Sequence, residues 1–259
     1  MKAGRQKVYE FLAGVCSIGC FVIIWFVATN GTLLGEMIPR PDVVCVAFFQ
    51  AIAGKIGRYN LLVHIGWSLS RVLIAYCAAS AAGIVLGLAM GWSKSVEAVF
   101  QPLFGIIRPI PPIAWIPLTI LFLGIGLRAK VFIIFFSAFV PCVINAYTGI
   151  QLTNRTLINV AKTYGAGSFE IFWRVGIPSS VQMIFAGIRI ALGLSWTTLV
   201  AAEMLAADAG LGYMILMGRQ FARPDIIVLG MVVIGTIGAV FSAVLSALEK
   251  RLEHWRAGR

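Results

Sequence analysis

The stretch from Val72 to Gly91 reads VLIAYCAASAAGIVLGLAMG and contains no charged side chain. A helix that crosses about 30 Å of hydrocarbon needs about 20 mostly apolar residues. The stretch therefore predicts a membrane-spanning helix, which we place at 68–91. Gly83, Gly87 and Gly91 recur at every fourth position, and this spacing predicts a flat face on which another helix packs closely.

Five more segments have the length and the apolar character of a span. They cover residues 11–29, 101–123, 131–151, 180–205 and 226–248. The whole chain of 259 residues is 60% hydrophobic and 12% charged, against about 25% charged residues in soluble domains. The sequence therefore predicts an all-α membrane protein with six transmembrane helices, covered in part by lipid.

The positive charges indicate how these helices are oriented. Lys and Arg number 21 against 10 Asp and Glu, but they form no dense run of the kind that binds nucleic acid, so we expect no nucleic-acid partner. Eleven of the basic residues fall on the side that holds both termini and seven on the other side. The positive-inside rule then predicts cytoplasmic termini, residues 1–10 and 249–259.

Two connections are long enough to form structure of their own. The external segment 30–67 contains Pro39-Arg40-Pro41-Asp42, which can start a helix, followed by an apolar run too short to span. We expect a helix on the outer membrane surface there. The cytoplasmic segment 152–179 is mixed in polarity, with Gly165 and Gly167 near its middle, and predicts one or two short helices.

The third span is interrupted by four prolines between Pro109 and Pro117. Each proline removes an N–H donor and disfavours helix in the residue before it. A broken helix at membrane depth is tolerated where it packs in protein or lines a cavity. We therefore predict that residues 106–118, with Pro111, Pro112 and Trp115, line a translocation path.

Three ionisable residues in the spans are candidates for function. Arg108 and Arg189 are costly in a membrane unless they face water, a partner or a ligand. Either can attract an anion into a path, or can snorkel or bind carbonyls that the prolines leave free. Glu203 is the sole candidate for a coupling carboxylate, and its alternative is an acid paired with a nearby base at the end of its span.

The sequence gives no sign of a catalytic, metal or nucleotide site. Its two histidines, His64 and His254, have no Cys or acidic neighbour at metal-ligand spacing, and no GxxxxGK[ST] is present. The five cysteines are expected to be small packing residues of the core. We therefore expect no enzyme and no bound cofactor, and if ATP drives transport, another chain hydrolyses it.

Two sets of motifs resemble those of a known family. Asn159-Val160-Ala161-Lys162-Thr163-Tyr164-Gly165-Ala166, ending in Val175-Gly176-Ile177-Pro178, resembles the EAA loop of binding-protein-dependent ABC importer permeases, with Asn159 in place of the usual Glu. The segments 108–118, 199–204 and 210–213 resemble the nitrate/sulfonate/taurine subgroup.

The resemblance implies a type I ABC importer permease fold in a bacterial inner membrane. It implies two cytoplasmic ATPase subunits that hold ATP and Mg²⁺, a second permease copy, and an external solute-binding protein. The ATPase contacts would be Asn159, Ala161, Lys162, Tyr164, Gly165, Ala166, Phe169, Glu170 and Arg174. The translocation path would include Arg108, Pro111, Pro112, Trp115, Arg189, Trp196 and Glu203.

The expected function is ATP-driven import of a small organic anion, such as a sulfonate or taurine, by alternating access. Nitrate, bicarbonate and uncharged vitamin precursors remain open as solutes. The alternative is a stand-alone secondary transporter or channel, which would need no ATPase partner.

Overall fold

The computed structural model describes residues 2–252, without the side chains of residues 2–11, 206 and 250–252. The predicted C-terminal segment 249–259 therefore lies largely outside the described residues. Within them the chain forms helices joined by short connections. The α-helices are α1 Lys2–Thr29, α2 Leu33–Met37, α3 Pro41–Ala53, α4 Leu61–Trp92, α5 Lys94–Ile107, α6 Ile116–Leu123, α7 Leu127–Gln151, α8 Arg155–Thr163, α9 Ser168–Ile171, α10 Ile177–Ala206, α11 Leu211–Gln220 and α12 Pro224–Leu252.

Five stretches of helix are long and apolar enough to cross a membrane, and a bent pair can supply a sixth crossing. The five are Leu12–Thr29, Leu61–Trp92, Leu127–Gln151, Ser168–Leu205 and Pro224–Glu249. The bent pair consists of α5 and the segment Pro112–Leu123, whose axes differ by 88°. The prolines explain this break, because they leave residues 108–111 without a continuous helical ladder and a 3-10 turn at Pro112–Trp115 precedes α6.

The second span is longer at its N-terminal end than the apolar run predicts. Asn60 stands just before α4, and its side-chain oxygen accepts a hydrogen bond from the Val63 amide at 3.1 Å. This N-cap satisfies one of the amides that the first helical turn leaves free. The helix therefore begins at Leu61, about two turns before the predicted start at residue 68.

Helix α7 forms the centre of the bundle, with α4 packed on one side and α10 on the other. The glycine face of α4 packs against α7, as the spacing of the glycines predicts. A Cβ added at Gly83 would lie 2.8 Å from the Cys142 Cβ, and one at Gly91 would lie 2.6 Å from the Ile150 Cβ. The absence of side chains at these positions therefore sets how closely the two helices approach.

We expect Gly87→Ala to destabilise the bundle. A methyl group at this position would collide with the Val143 carbonyl and would lie 2.8 Å from the Ala146 Cβ. Overpacking of this kind costs about 1–3 kcal/mol. Thermal unfolding of the purified chain should show a lower midpoint, whereas Gly66→Ala on the same helix, with open space around it, should leave the midpoint unchanged or raise it slightly, because alanine favours helix over glycine. Equal midpoints for the two variants would contradict close packing at Gly87.

Candidate functional site

The segment between α7 and α10 forms a compact pair of short helices. Asn154 caps α8 by accepting a hydrogen bond from the Thr156 amide at 2.8 Å. At the other end of α8, the Gly165 amide donates to Lys162 and the Ala166 amide donates to Ala161. Gly165 has φ +80°, the left-handed conformation that this type of helix ending needs. The two bonds fix the angle at which α9 leaves α8.

The surface of this segment carries large apolar side chains that the chain itself does not cover. Tyr164 is 88% exposed, Phe169 75% and Trp173 55%. Phe169 and Trp173 lie edge to face with their ring centroids 6.2 Å apart. Exposed aromatic side chains in a cluster are typical of a protein interface.

Most of the predicted coupling residues lie on this surface, together with Trp173, which was not predicted. Asn159, Lys162, Gly165, Glu170 and Arg174 are exposed, whereas Ala161 and Ala166 are half-buried. Glu170 and Arg174 form an ion pair one helical turn apart, at 3.3 Å. The position of Trp173, four residues after Phe169, is the signal that would have placed it on the same face.

Arg108 lies at the break between α5 and α6, opposite the middle of α7. It is exposed, and among the described residues no carboxylate pairs with it. It lines two clefts against α7. One, of about 250 Å³, also has Pro112 and Asn145 in its walls. The other, of about 260 Å³, includes Gln101 and Tyr147.

Three other predicted path residues do not line these clefts: Pro111, Trp115 and Arg189. Pro111 is exposed beside the break, and Trp115 lines a separate apolar cleft with Phe132 and Phe136. Arg189 is half exposed and forms an ion pair with Glu249 on α12. Of the seven named path residues, the structure therefore brings Arg108 and Pro112 to a common cleft, together with Ile107 and Ile110 of the predicted segment 106–118.

Trp196 and Glu203 lie inside the packed bundle. Trp196 is 7% exposed, and its indole N–H donates to the Ile234 carbonyl at 3.2 Å. Glu203 is fully buried and pairs with Arg71 of α4, Nη1 to Oε1 at 2.7 Å. The interpretation of Glu203 as an acid paired with a nearby base thus describes its contacts, although the partner lies 132 residues away.

Glu203 organises the connection between α10 and α11. The Ser68 hydroxyl shares its proton between the two carboxylate oxygens, at 2.9 and 2.8 Å, and the Gly212 amide donates to Oε2 at 3.1 Å. Arg71 also donates to the Ala209 carbonyl at 2.6 Å. Gly210, at φ +131°, lies against the carboxylate, with no space for a side chain. The buried ion pair thereby ties the start of α11 to α4 and α10.

His64 extends this cluster to the turn before α4. Its Nδ1 accepts from the Gly210 amide at 3.0 Å, so its Nε2 carries the proton and donates to the Ile56 carbonyl at 2.9 Å. Sequence reasoning missed this network, although His64, Ser68 and Arg71 follow the i, i+4, i+7 spacing of one helix face. Among the described residues no three His, Cys, Asp or Glu side chains are grouped as metal ligands.

The fold and the site together define a helical protein with several candidate membrane spans, one of them broken, and an exposed segment of short helices between α7 and α10. Residues 80–257 match the family described as binding-protein-dependent transport system inner membrane component, and the chain belongs to this family. The predicted family and the predicted all-α, type I permease fold are thereby confirmed.

Named relatives indicate which type of permease the chain resembles. The chain is 35% identical to the taurine transport system permease protein of Escherichia coli K12, over 92% of this chain and 89% of that protein. It is 30% identical to the nitrate import permease protein of Synechocystis sp. PCC 6803, over 90% and 86% respectively. The inward-facing MetNI methionine ABC transporter has the same fold, with TM-score 0.61 and 18% identity over 74% of this chain and 95% of that one.

These matches make the chain an inner-membrane permease of an ABC importer of the taurine, sulfonate and nitrate type. The named relatives are described as permease proteins of transport systems. A permease of this class works with ATPase subunits and a substrate-binding protein. The direction in which the termini face stays a prediction.

Proposed function

We propose that two copies of this chain form the path through which an ATP-driven importer moves a small organic anion, such as a sulfonate or taurine, by alternating access. The observation that carries the solute class is Arg108. A guanidinium opposite the middle of a spanning helix is costly unless an anion, water or a partner meets it. Among the described residues no carboxylate fills that role, and two clefts lie beside it.

The proposed coupling to ATP hydrolysis rests on the segment 154–176. The Gly165 turn and the α8 cap hold Tyr164, Phe169 and Trp173 as a fixed apolar projection. A rigid projection can transmit the closing of two ATPase subunits to α10, because the π-helical turn Phe172–Gly176 leads directly into that helix. The path would then switch between two arrangements of packed helices. ATP and Mg²⁺ would be held by the ATPase subunits.

We expect the double variant Tyr164→Ala/Phe169→Ala to lose its ATPase subunits. Truncating an aromatic hot-spot residue at the centre of an interface typically weakens the binding free energy by about 2 kcal/mol or more. The double variant removes two such side chains. Co-purification from cells that express the whole operon measures the effect. Phe221→Ala is the matched control, because Phe221 is 69% exposed but lies in the turn after α11. ATPase recovery equal to that of the control would remove this segment from the coupling role.

The proposed function as a whole can be tested by purifying the tagged chain with its operon partners in nanodiscs. ATP hydrolysis should rise when the binding protein is loaded with a transported anion, and candidate sulfonates, taurine and nitrate can be compared by that rise. Solute uptake by this chain alone, without ATP, would instead support the secondary-transporter alternative. The burial of Glu203 in a fixed ion pair gives that alternative no exposed carboxylate at this position.

A further inference from the structure

A cleft of about 450 Å³ lies between α3 and α12, apart from the clefts beside Arg108. One wall is a single face of α3 that carries Pro41, Val44, Cys45 and Phe48. The other wall is one face of α12 between Leu229 and Ile237. The residues on each wall recur at helical three-and-four spacing, so each helix presents a continuous apolar stripe to the cleft.

The lining of this cleft suits hydrocarbon and not water. The hydroxyl of Thr236, on the α12 wall, donates to the Val232 carbonyl within its own helix. Enclosed apolar cavities stay dry and bind hydrophobic molecules, and the walls of this open cleft are likewise apolar. A chain of methylene groups in the cleft would gain a favourable free energy of about 25 cal/mol for each Å² of apolar surface removed from water.

One positive and one negative residue, Arg40 and Asp42, flank Pro41 of the cleft wall in the chain. Arg40 donates to both carboxylate oxygens of Asp42, at 3.0 and 2.8 Å, and also contacts Asn30. These hydrogen bonds hold the pKa of Asp42 below its usual value, so the carboxylate stays charged at neutral pH. Both side chains are partly exposed, at 39% and 54%, and so remain accessible to further partners.

A third observation indicates that a polar acceptor belongs near the apolar walls. Trp25 of α1 lines the cleft, and its indole N–H is buried without a hydrogen-bond partner in the part of the chain that the structure describes. A buried donor without an acceptor costs about 1–3 kcal/mol. Tryptophan commonly sits where hydrocarbon meets polar headgroups. The ester carbonyl of a lipid lies at that depth.

We propose that this cleft binds one zwitterionic phospholipid, with an acyl chain between α3 and α12, its phosphate at Arg40 and its ammonium group at Asp42. The ester carbonyl would accept the free hydrogen bond of Trp25 after a small shift of that side chain. The paired charges beside Pro41 would select this headgroup, because an anionic headgroup would meet the Asp42 carboxylate without a cation of its own to offset it.

Native mass spectrometry of the intact complex tests the proposal, with phosphatidylethanolamine and phosphatidylglycerol as the two probes. Wild type should retain one phosphatidylethanolamine per permease chain and at least tenfold less phosphatidylglycerol. Val232→Trp fills the cleft and should lose that lipid. Val240→Trp is the matched control, because Val240 is similarly exposed on α12, 54% against 47%, but lies outside the cleft. Cys45→Phe fills the same cleft from α3 and provides a second variant.

The headgroup part of the proposal has its own test. Arg40→Ala/Asp42→Ala leaves the net charge unchanged and should abolish the preference between the two lipids. Lipid retention by Val232→Trp equal to that of Val240→Trp would overturn the site, and equal retention of both lipids by wild type would overturn the headgroup assignment. Disulfide cross-linking through Cys45 of two copies, with loss of dimer in Val232→Trp, would overturn it in favour of a second permease chain in the cleft.

Discussion

Glu203→Gln is expected to lower the free energy of unfolding by about 3–5 kcal/mol, the cost of leaving a buried charge without its partner. Arg71 is 7% exposed and loses the only carboxylate to which it donates among the described residues. Lys130 is also buried, at 5% exposure, and lies in the field of the same carboxylate. The neutral amide therefore leaves the buried Arg71 guanidinium without its carboxylate and removes one of the negative charges near Lys130.

The measurement is the thermal midpoint of the purified chain, together with its yield from detergent extracts. Glu170→Gln is the control, since its ion pair with Arg174 is exposed and such pairs contribute about 0–1 kcal/mol. Arg71→Met/Glu203→Met removes both charges and should be less destabilised than Glu203→Gln. A midpoint for Glu203→Gln equal to that of the control would show that the carboxylate does not stabilise the bundle.

This prediction depends on a contact that the sequence does not reveal. The apolar lengths predicted where spanning helices occur, and the prolines predicted a break in the third span. Each of these features is local, because it follows from residues within one helix. The pairing of Arg71 with Glu203 joins residues far apart in the chain and follows only from the way α4 and α10 are packed.

Some features of the candidate site are also local and could be predicted, whereas others depend on how the helices pack. The Gly165 turn and the exposed side chains of segment 154–176 follow from local turn chemistry and amphipathic spacing, so the sequence could predict them. Whether a polar residue in a span faces a cleft or the interior depends on helix rotation. Because both residues are charged and lie in predicted spans, the sequence placed Glu203 and Arg108 in the same predicted path. The fold instead buries Glu203 beside Arg71 and leaves Arg108 exposed.

Arg108→Glu is expected to reduce uptake of the transported anion by at least about a hundredfold while the complex still assembles. A unit anion about 4 Å from a guanidinium gains about 4 kcal/mol at an effective dielectric constant near 20, and reversal of the charge turns this attraction into repulsion. Each 1.4 kcal/mol is a factor of ten. Arg108 is exposed at a helix break, so the change should leave the buried packing intact.

Uptake into proteoliposomes and ATPase stimulation by loaded binding protein measure this effect. Arg108→Lys keeps the charge and should retain more transport than Arg108→Glu. Arg128→Glu introduces the same reversal at another exposed arginine, at the start of α7 and outside the clefts beside Arg108, and should change uptake little.

Unchanged transport in a correctly assembled Arg108→Glu complex would remove Arg108 from the path. The assignment of an anion as the solute would then lose its physical basis, although the family membership would not change. A loss that is equal for Arg108→Glu and Arg128→Glu would show that the overall charge of the chain matters and not the position of Arg108. The comparison therefore separates a binding residue at the broken span from general attraction of an anion to a basic protein.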